Sequence, residues 1–352
     1  LIKMTQVENA VSAILDGWAP SEPIITSDSK ITAFGSCFAA NISDWLARRN
    51  FRVLTRDDAR ANAYVIAMGE GMVNSFAILQ QFEWAWENKI FDQPLWHGYK
   101  AEDFGYDESV RLQTKEIFDE TDVFILTFGL SEIWYDEPTG NVFWRTIPKD
   151  VYDPNRHKFR VSTVEENSSN IREIYKLIRR HRPNAKIIMT LSPIPLIASF
   201  RDVSCISANS VSKSILRVSL DEVITEFRDE GYLNYWPSYE IVMDVFRQPF
   251  MSDNRHPKRE VLDFVMTLFE HSWCVDDHND RPSLTEAWVS ALTASDQLPA
   301  RVSRFALEKN SIGLRAMAMK RRFHSNGLLN QARKKLLISL AEEWETQGSN
   351  PD

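Results

Sequence analysis

The stretch ITAFGSCFAANISDWLARR, residues 31–49, decides the fold. An apolar segment of strand character stops at Gly35-Ser36-Cys37 and passes at once into a helical pattern. Phe38, Ile42, Trp45 and Leu46 recur three or four residues apart, so they share one face of a helix. FRVLT, from Phe51, then reads as a second strand. Strand, helix and strand in immediate succession form a βαβ unit, whose two strands must run parallel.

The same alternation continues outward to about residue 275. VFILTF (123–128) and AKIIMTL (185–191) are continuous apolar runs, suited to strands covered on both faces. Between them Ile171, Ile174, Tyr175 and Ile178 mark an amphipathic helix that Pro183 ends. Residues 133–145, IWYDEPTGNVFWR, read as a β-hairpin turning at Pro138 and Gly140. Leu216, Leu220, Val223 and Phe227 lie on a further helix leading into the short strand YLNYW. A last helix opens at Pro257 and carries Val261, Phe264, Val265, Leu268 and Phe269. The pattern predicts an α/β three-layer fold with a mainly parallel sheet over 30–275, a helical lead-in over 1–29 and a helical C-terminal region over 276–352.

Composition narrows the function classes. A net charge of −8 argues against wholesale nucleic-acid binding, which needs a basic footprint. Cys37, Cys205 and Cys274 are odd in number and far apart, so neither a disulfide framework nor a zinc site is expected, and a reducing, cytoplasmic setting is the simpler reading. No apolar run is long enough for a signal-peptide core or a membrane span. The chain opens on Leu1, so the start is either Met4 or a residue further upstream. Between Arg301 and Lys335 basic residues outnumber acidic ones, with KRR at 320–322 and RKK at 333–335. A solvated helix face explains such runs more often than a phosphate or anionic-membrane contact does.

In a parallel α/β sheet ligands gather at the carboxyl ends of the strands. Four segments sit there. In Gly35-Ser36-Cys37 the glycine permits a sharp turn and Ser36 opens a helix, whose N–H groups favour an oxyanion; small residues packing a helix close to the sheet are the plain alternative. In MSDNRHPKREVLDF (251–264) Asp253 precedes His256 by three positions, and Pro257 holds His256 extended before the helix. A carboxylate beside an imidazole fixes its tautomer, as a general base for a serine requires; an Asx turn with an incidental histidine is the alternative. His97, His157, His181, His271, His278 and His324 have no such setting. In TFGLSEIW (127–134) Gly129 ends a strand, and Ser131 and Glu132 follow it. In GEGMVNSFAILQ (69–80) Gly71 offers a close backbone N–H and Asn74 an amide donor. Turn chemistry accounts for these last two segments equally well when each is taken alone.

Cys37 is the alternative nucleophile, but one position inside the helix its side chain is expected to turn towards the sheet as an apolar filler. Ser192, after the strand at 185–191, should line the cleft edge. Lys213 and Arg217 would suit a phosphate, a carboxylate or a sugar hydroxyl, although ordinary charges on a capped surface helix are the simpler reading. Trp84, Trp86, Trp96, Trp134, Trp144 and Trp236 would suit a sugar platform, although aromatics fill cores more often.

The order of these blocks resembles that of the SGNH-type hydrolases. More closely, AFGSCFAANI resembles the opening signature of the GSCFA family, as do TFGLSEIWYD, SPIPL (192–196), SKSILR (212–217) and YWPSYEIVMDVFR joined to SDNRHP. The resemblance spans roughly residues 30–275. It implies an SGNH-like, flavodoxin-like fold with Ser36 as nucleophile, His256 as base and Asp253 as its orienting carboxylate. The sequence departs from the SGNH pattern after Gly129, where Ser131 stands in place of the expected asparagine and Glu132 follows. Asn74, or the backbone N–H groups of Ser36 and Gly71, would then take over the oxyanion role.

The expected function is serine-dependent acyl-ester chemistry, an esterase or O-acyltransferase acting on acetyl and a carbohydrate or polysaccharide, as in the polysaccharide biosynthesis to which related families are linked. No tightly bound cofactor is expected; acyl-coenzyme A is an admissible co-substrate. Two other readings stand beside it: a non-catalytic carbohydrate-binding or scaffold protein, and an anionic-membrane or nucleic-acid adaptor working through 301–335.

Overall fold

The computed structural model describes residues 7–67, 71–91, 95–96, 105–276 and 280–295. The basic stretch at 301–335 lies outside the described residues. The chain divides into two compact units, 23–239 and 1–22 with 240–352.

The lead-in helix α1, Val7–Leu15, falls in the second unit. In the first unit the opening stretch folds as β1 (Lys30–Phe34), α2 (Cys37–Arg48) and β2 (Arg52–Val53), the last shorter than the FRVLT run read from the sequence. There follow α3 (Ser75–Glu87), α4 (Glu108–Glu120) and β3 (Val123–Phe128). Next come β4 (Glu132–Asp136), β5 (His157–Val161) and α5 (Val164–His181). The unit closes with β6 (Lys186–Leu191), α6 (Cys205–Phe227) and β7 (Leu233–Trp236). Among the described residues one five-stranded sheet runs β2-β1-β3-β6-β7, every pairing parallel. Counting only its own strands, that is order 2-1-3-4-5, a doubly wound α/β sheet with its switch point between β1 and β3. Right-handed crossovers place α2 on one face and the α3 to α6 series on the other, because the first crossover runs outward and the later ones run the opposite way. The later helices pack side by side in a row.

The apolar runs are covered as their composition requires: all six residues of β3 are buried. Phe34 of β1, Phe82 of α3, and Phe118 of α4 share a ring cluster with Phe124 of β3, the Phe82–Phe118 centroids being 4.6 Å apart. Trp84, Trp96, Trp144 and Trp236 are fully buried, so these tryptophans build the core and do not form a sugar platform. A capping box starts α5: Thr163 Oγ1 accepts from the Glu166 N–H at 3.1 Å, and Glu166 Oε2 accepts from the Thr163 N–H at 2.8 Å. Thr163→Ala should cost about 1 kcal/mol in urea unfolding, the usual loss for a helix cap.

One element differs from the sequence reading. The turn at Pro138-Gly140 forms, with Gly140 N–H donating to Asp136 O at 2.7 Å, yet β4 does not pair with 141–145 beyond one isolated bridge, Tyr135 to Val142. Its antiparallel partner is β5, in register Glu132 to Val161 through Asp136 to His157. Buried Asp136 locks the pairing by accepting from Arg156 Nε at 2.7 Å and Nη2 at 3.0 Å.

In the second unit α7 (Arg259–Trp273) buries Val261, Phe264, Val265, Leu268 and Phe269, the face read from the sequence. It packs on α8 (Leu284–Ala294), with Phe264 and Trp288 rings 4.9 Å apart. The helix begins two residues later than read: Lys258 is its N-cap, and Pro257 forms a bridge with Phe250. Among the described residues no helix is long and apolar enough to cross a membrane.

Candidate active site

The turn after β1 is built on what Gly35 lacks. Its φ is +132°, a backbone region open essentially to glycine, and a Cβ there would stand 2.1 Å from the Thr127 carbonyl oxygen. The chain can therefore press against β3 and deliver Ser36 to the start of α2, at the switch point. Ser36 is extended (φ −123°, ψ 172°) and caps α2, its Oγ accepting from the Phe38 N–H at 3.2 Å. The residue is 3% exposed. Cys37, the first residue of the helix, is half-buried, so it is not the buried filler expected.

Three other blocks meet in the same unit. Gly129 N–H and Leu130 N–H donate to Val73 O at 2.7 and 3.2 Å, which joins the segment after β3 to the segment between Gly71 and Asn74. Gly71 is buried. Asn74 caps α3, its Oδ1 accepting from Ala77 N–H at 2.8 Å while Nδ2 donates to Trp144 O at 3.3 Å. Its carboxamide is thus held first of all by its own helix and a neighbouring carbonyl.

Ser131 is differently placed. Its N–H donates to Ser212 Oγ at 2.8 Å, and its carbonyl accepts from the Ser162 N–H and Oγ–H, both at 2.8 Å. Its own hydroxyl is buried and has no partner among the described residues. A buried hydroxyl without a partner loses its hydration and gains nothing in return unless a ligand or water completes it. Glu132 Oε1, beside it, accepts from Ser199 Oγ at 2.8 Å. Ser192, after β6, is buried, its Oγ accepting from Ile194 N–H at 3.3 Å.

Lys213, read from the sequence as a charge on a surface helix, is buried instead. It is 2% exposed, and its Nζ donates to Gly129 O and Ser192 O, both at 2.7 Å. Burial pushes its pKa down to about 7 against the pull of nearby Cys37. A signal existed: Lys213, Leu216, Leu220 and Val223 share one helical stripe, so the lysine extends the buried face of α6. Arg217 lies on a flank, donating to Asp221 Oδ1 at 3.1 Å and stacking over Tyr235.

The second unit carries the carboxylate and imidazole. Asp253 Oδ2 and His256 Nδ1 are 2.6 Å apart, and Asp253 Oδ1 accepts the N–H groups of Arg255 and His256 at 2.9 and 3.0 Å. Asn254 makes the turn in the left-handed region, φ 53°, and Met251 N–H closes it on His256 O at 2.8 Å. The hydrogen bond from His256, followed by the two backbone N–H groups, lowers the Asp253 pKa to about 2. With Nδ1–H given to an ionised carboxylate, Nε2 is the nitrogen left to accept a proton. Both side chains are close to half exposed, 49% for His256 and 45% for Asp253.

The sequence pattern of the GSCFA family matches residues 30–269, more than half of the chain, and the chain belongs to that family. No curated protein matches it.

Proposed function

We propose that this member of the GSCFA family is a serine-dependent acyl-ester enzyme on an SGNH-type fold, an esterase or O-acyltransferase moving a small acyl group such as acetyl, with a carbohydrate as the partner and the cytoplasm as its setting. The observation that carries the reading is the 2.6 Å contact between His256 Nδ1 and an Asp253 carboxylate held ionised. Such a pair orients an imidazole as a base and has no evident packing purpose on an exposed turn. Further support comes from Ser36 at the head of α2 and from the unpartnered hydroxyl of Ser131.

In this reading Ser36 Oγ attacks the carbonyl carbon and its proton passes to His256 Nε2, while Asp253 stabilises the imidazolium. The oxyanion is held by the N–H groups of Ser36 and Gly71 and by the Ser131 hydroxyl, with Asn74 as a further amide donor; Glu132 and Ser192 flank the substrate. One good donor of this kind is worth about 3 kcal/mol in the transition state. The leaving group departs with the proton from His256, and water or a sugar hydroxyl then takes the acyl group by the reverse sequence. No metal takes part, and acyl-coenzyme A is a candidate acyl donor.

A fluorophosphonate probe with intact-mass detection tests the reading. One adduct per chain, mapped to the Ser36 peptide, is expected. Absence of any adduct, or an adduct elsewhere, overturns it. The burial of Ser36 and the acceptance of the Phe38 N–H by its Oγ favour one other reading, in which the serine is only a helix cap and the chain is a carbohydrate-binding scaffold. That reading predicts sugar binding with neither labelling nor ester turnover.

A further inference from the structure

The segments after β3 and at the head of α3 are joined by buried side chains that the acyl chemistry leaves unused. Asn167, in the first turns of α5, is fully buried. Its Nδ2 donates to Thr163 O at 2.7 Å and to Ser162 Oγ at 2.8 Å, and its Oδ1 accepts from Ser75 Oγ at 2.7 Å. A carbonyl can only accept, so Thr163 fixes which side of the carboxamide carries the hydrogens. Ser162 Oγ passes a hydrogen bond on to Ser131 O at 2.8 Å, and Ser75 Oγ accepts from Asn170 Nδ2 at 3.1 Å. The bonds therefore run one way, from Asn170 through Ser75, Asn167 and Ser162 to the Ser131 carbonyl, and aligned bonds strengthen one another.

Both ends of this chain of bonds lie in the candidate site. Ser75 follows Asn74 at the start of α3, and Ser131 is held on its other side by the Ser212 hydroxyl, which accepts its N–H at 2.8 Å. With the peptide groups before and after it fixed, Ser131 keeps freedom only in its own side chain. Ser75, Asn167, Ser162 and Ser212 all have partners for their side-chain polar atoms, whereas Ser131 Oγ has none among the described residues. A buried polar network carries a desolvation cost that apolar packing avoids. One that is complete up to a single hydroxyl points to a use for that hydroxyl.

We propose that Asn167 is a positioning residue for the oxyanion site: through Ser162 it fixes the peptide that carries the Ser131 hydroxyl, and through Ser75 it ties that peptide to the head of α3, where Asn74 stands. The proposal rests on the reading of Ser36 as nucleophile given above.

The test follows fluorophosphonate labelling of Ser36 in the full chain over a range of probe concentrations, which yields a maximal rate and a half-saturating concentration. Ser131→Ala is expected to lower the maximal rate by about 10²-fold or more, the effect of one lost oxyanion donor. Asn167→Leu should lower it by about tenfold at an unchanged half-saturating concentration, because a displaced oxyanion donor is missed in the transition state and not in the encounter complex. The double variant should label no more slowly than Ser131→Ala. A merely structural asparagine would lower the thermal midpoint and slow labelling by the same factor with and without the Ser131 hydroxyl. That result overturns the proposal, and so does an Asn167→Leu variant that labels at the wild-type rate. Should Asn167→Leu not fold, Ser162→Ala, which removes the hydroxyl between Asn167 and the Ser131 carbonyl, decides by the same cycle. Wild type without a Ser36 adduct overturns the acyl-enzyme reading and this inference with it, whereas a labelled wild type with equal factors overturns this inference alone.

Discussion

Replacing Ser36 with alanine is expected to lower acyl-ester turnover by at least about 10⁴-fold and to abolish fluorophosphonate labelling, with the thermal midpoint falling only by the value of a lost helix cap, about 1 kcal/mol. The disproportion is the point of the experiment. Among the described residues Ser36 Oγ makes one structural hydrogen bond, accepting from the Phe38 N–H, so a cap-only role predicts the small stability change and nothing else. His256→Ala should lose turnover to a similar degree, and the Ser36→Ala/His256→Ala double variant should be hardly worse than either, because a nucleophile and its base act as one unit. Additive losses would show that the two residues do not cooperate, and would remove the acyl-enzyme step.

Asp253 supplies a pH signature for the same chemistry. Its carboxyl is lowered to about 2, chiefly by the hydrogen bond from His256. For a depressed carboxylate the folded-state advantage is complete above the ordinary value near 4 and disappears as pH falls through the lowered one. The pair should therefore persist throughout the neutral and mildly acidic range. The Asp253 carboxyl resonance should show a midpoint near 2, and a midpoint near 4 would mean that the hydrogen bond is not kept in solution. Asp253→Asn should cost turnover about 10⁴-fold without unfolding the chain, because an amide in that place favours the wrong imidazole tautomer.

The second large effect is on the fold itself. Gly35→Ala is expected to prevent folding or to leave a protein that unfolds well below the wild-type midpoint. Two costs fall on the same atom. An alanine at φ +132° carries backbone strain of about 1–3 kcal/mol. The added methyl would also meet the Thr127 oxygen at 2.1 Å and its carbonyl carbon and nitrogen at 2.9 Å. These are backbone atoms of central strand β3, so relief requires pulling β1 and β3 apart, and overpacking of that kind adds about 1–3 kcal/mol or more. The sum, about 2–6 kcal/mol or more, reaches the lower end of whole-domain stability, about 5–15 kcal/mol. Gly231→Ala is the control, because its φ is +72° and nothing lies within 4 Å of the added atom. It should show the conformational cost alone, and equal losses at the two glycines would refute the close-contact argument.

Local chemistry made much of this protein readable. The parallel strands came from continuous apolar runs, and the helices from residues repeating every three or four positions, since the period of burial is a property of the chain's own geometry. The Asp253–His256 pair was readable for a related reason: its contacts span three residues and are closed by an Asx turn that the residue types themselves favour. Gly35 and Ser36 belong to the same class, a turn and a cap written in adjacent positions.

Partner choice across long separations was not written that way. The turn at Pro138-Gly140 formed where its residues placed it, but the strand that pairs with β4 lies beyond it, at His157–Val161, because pairing there depends on Arg156 reaching buried Asp136 and not on the turn. Lys213 looked like a surface charge because nothing within its own helix satisfies it; its carbonyl partners are 84 and 21 residues away. The unpartnered Ser131 hydroxyl is likewise invisible until Ser162 and Ser212 have taken up its backbone and left the side chain over. The sequence by itself determined the strands and helices of the parallel sheet and where the serine, carboxylate and imidazole stand along the chain, but not the partner strand β5. Only the tertiary structure decided which polar groups are buried together, because desolvation and hydrogen bonding depend on what surrounds a group once distant segments have closed over it.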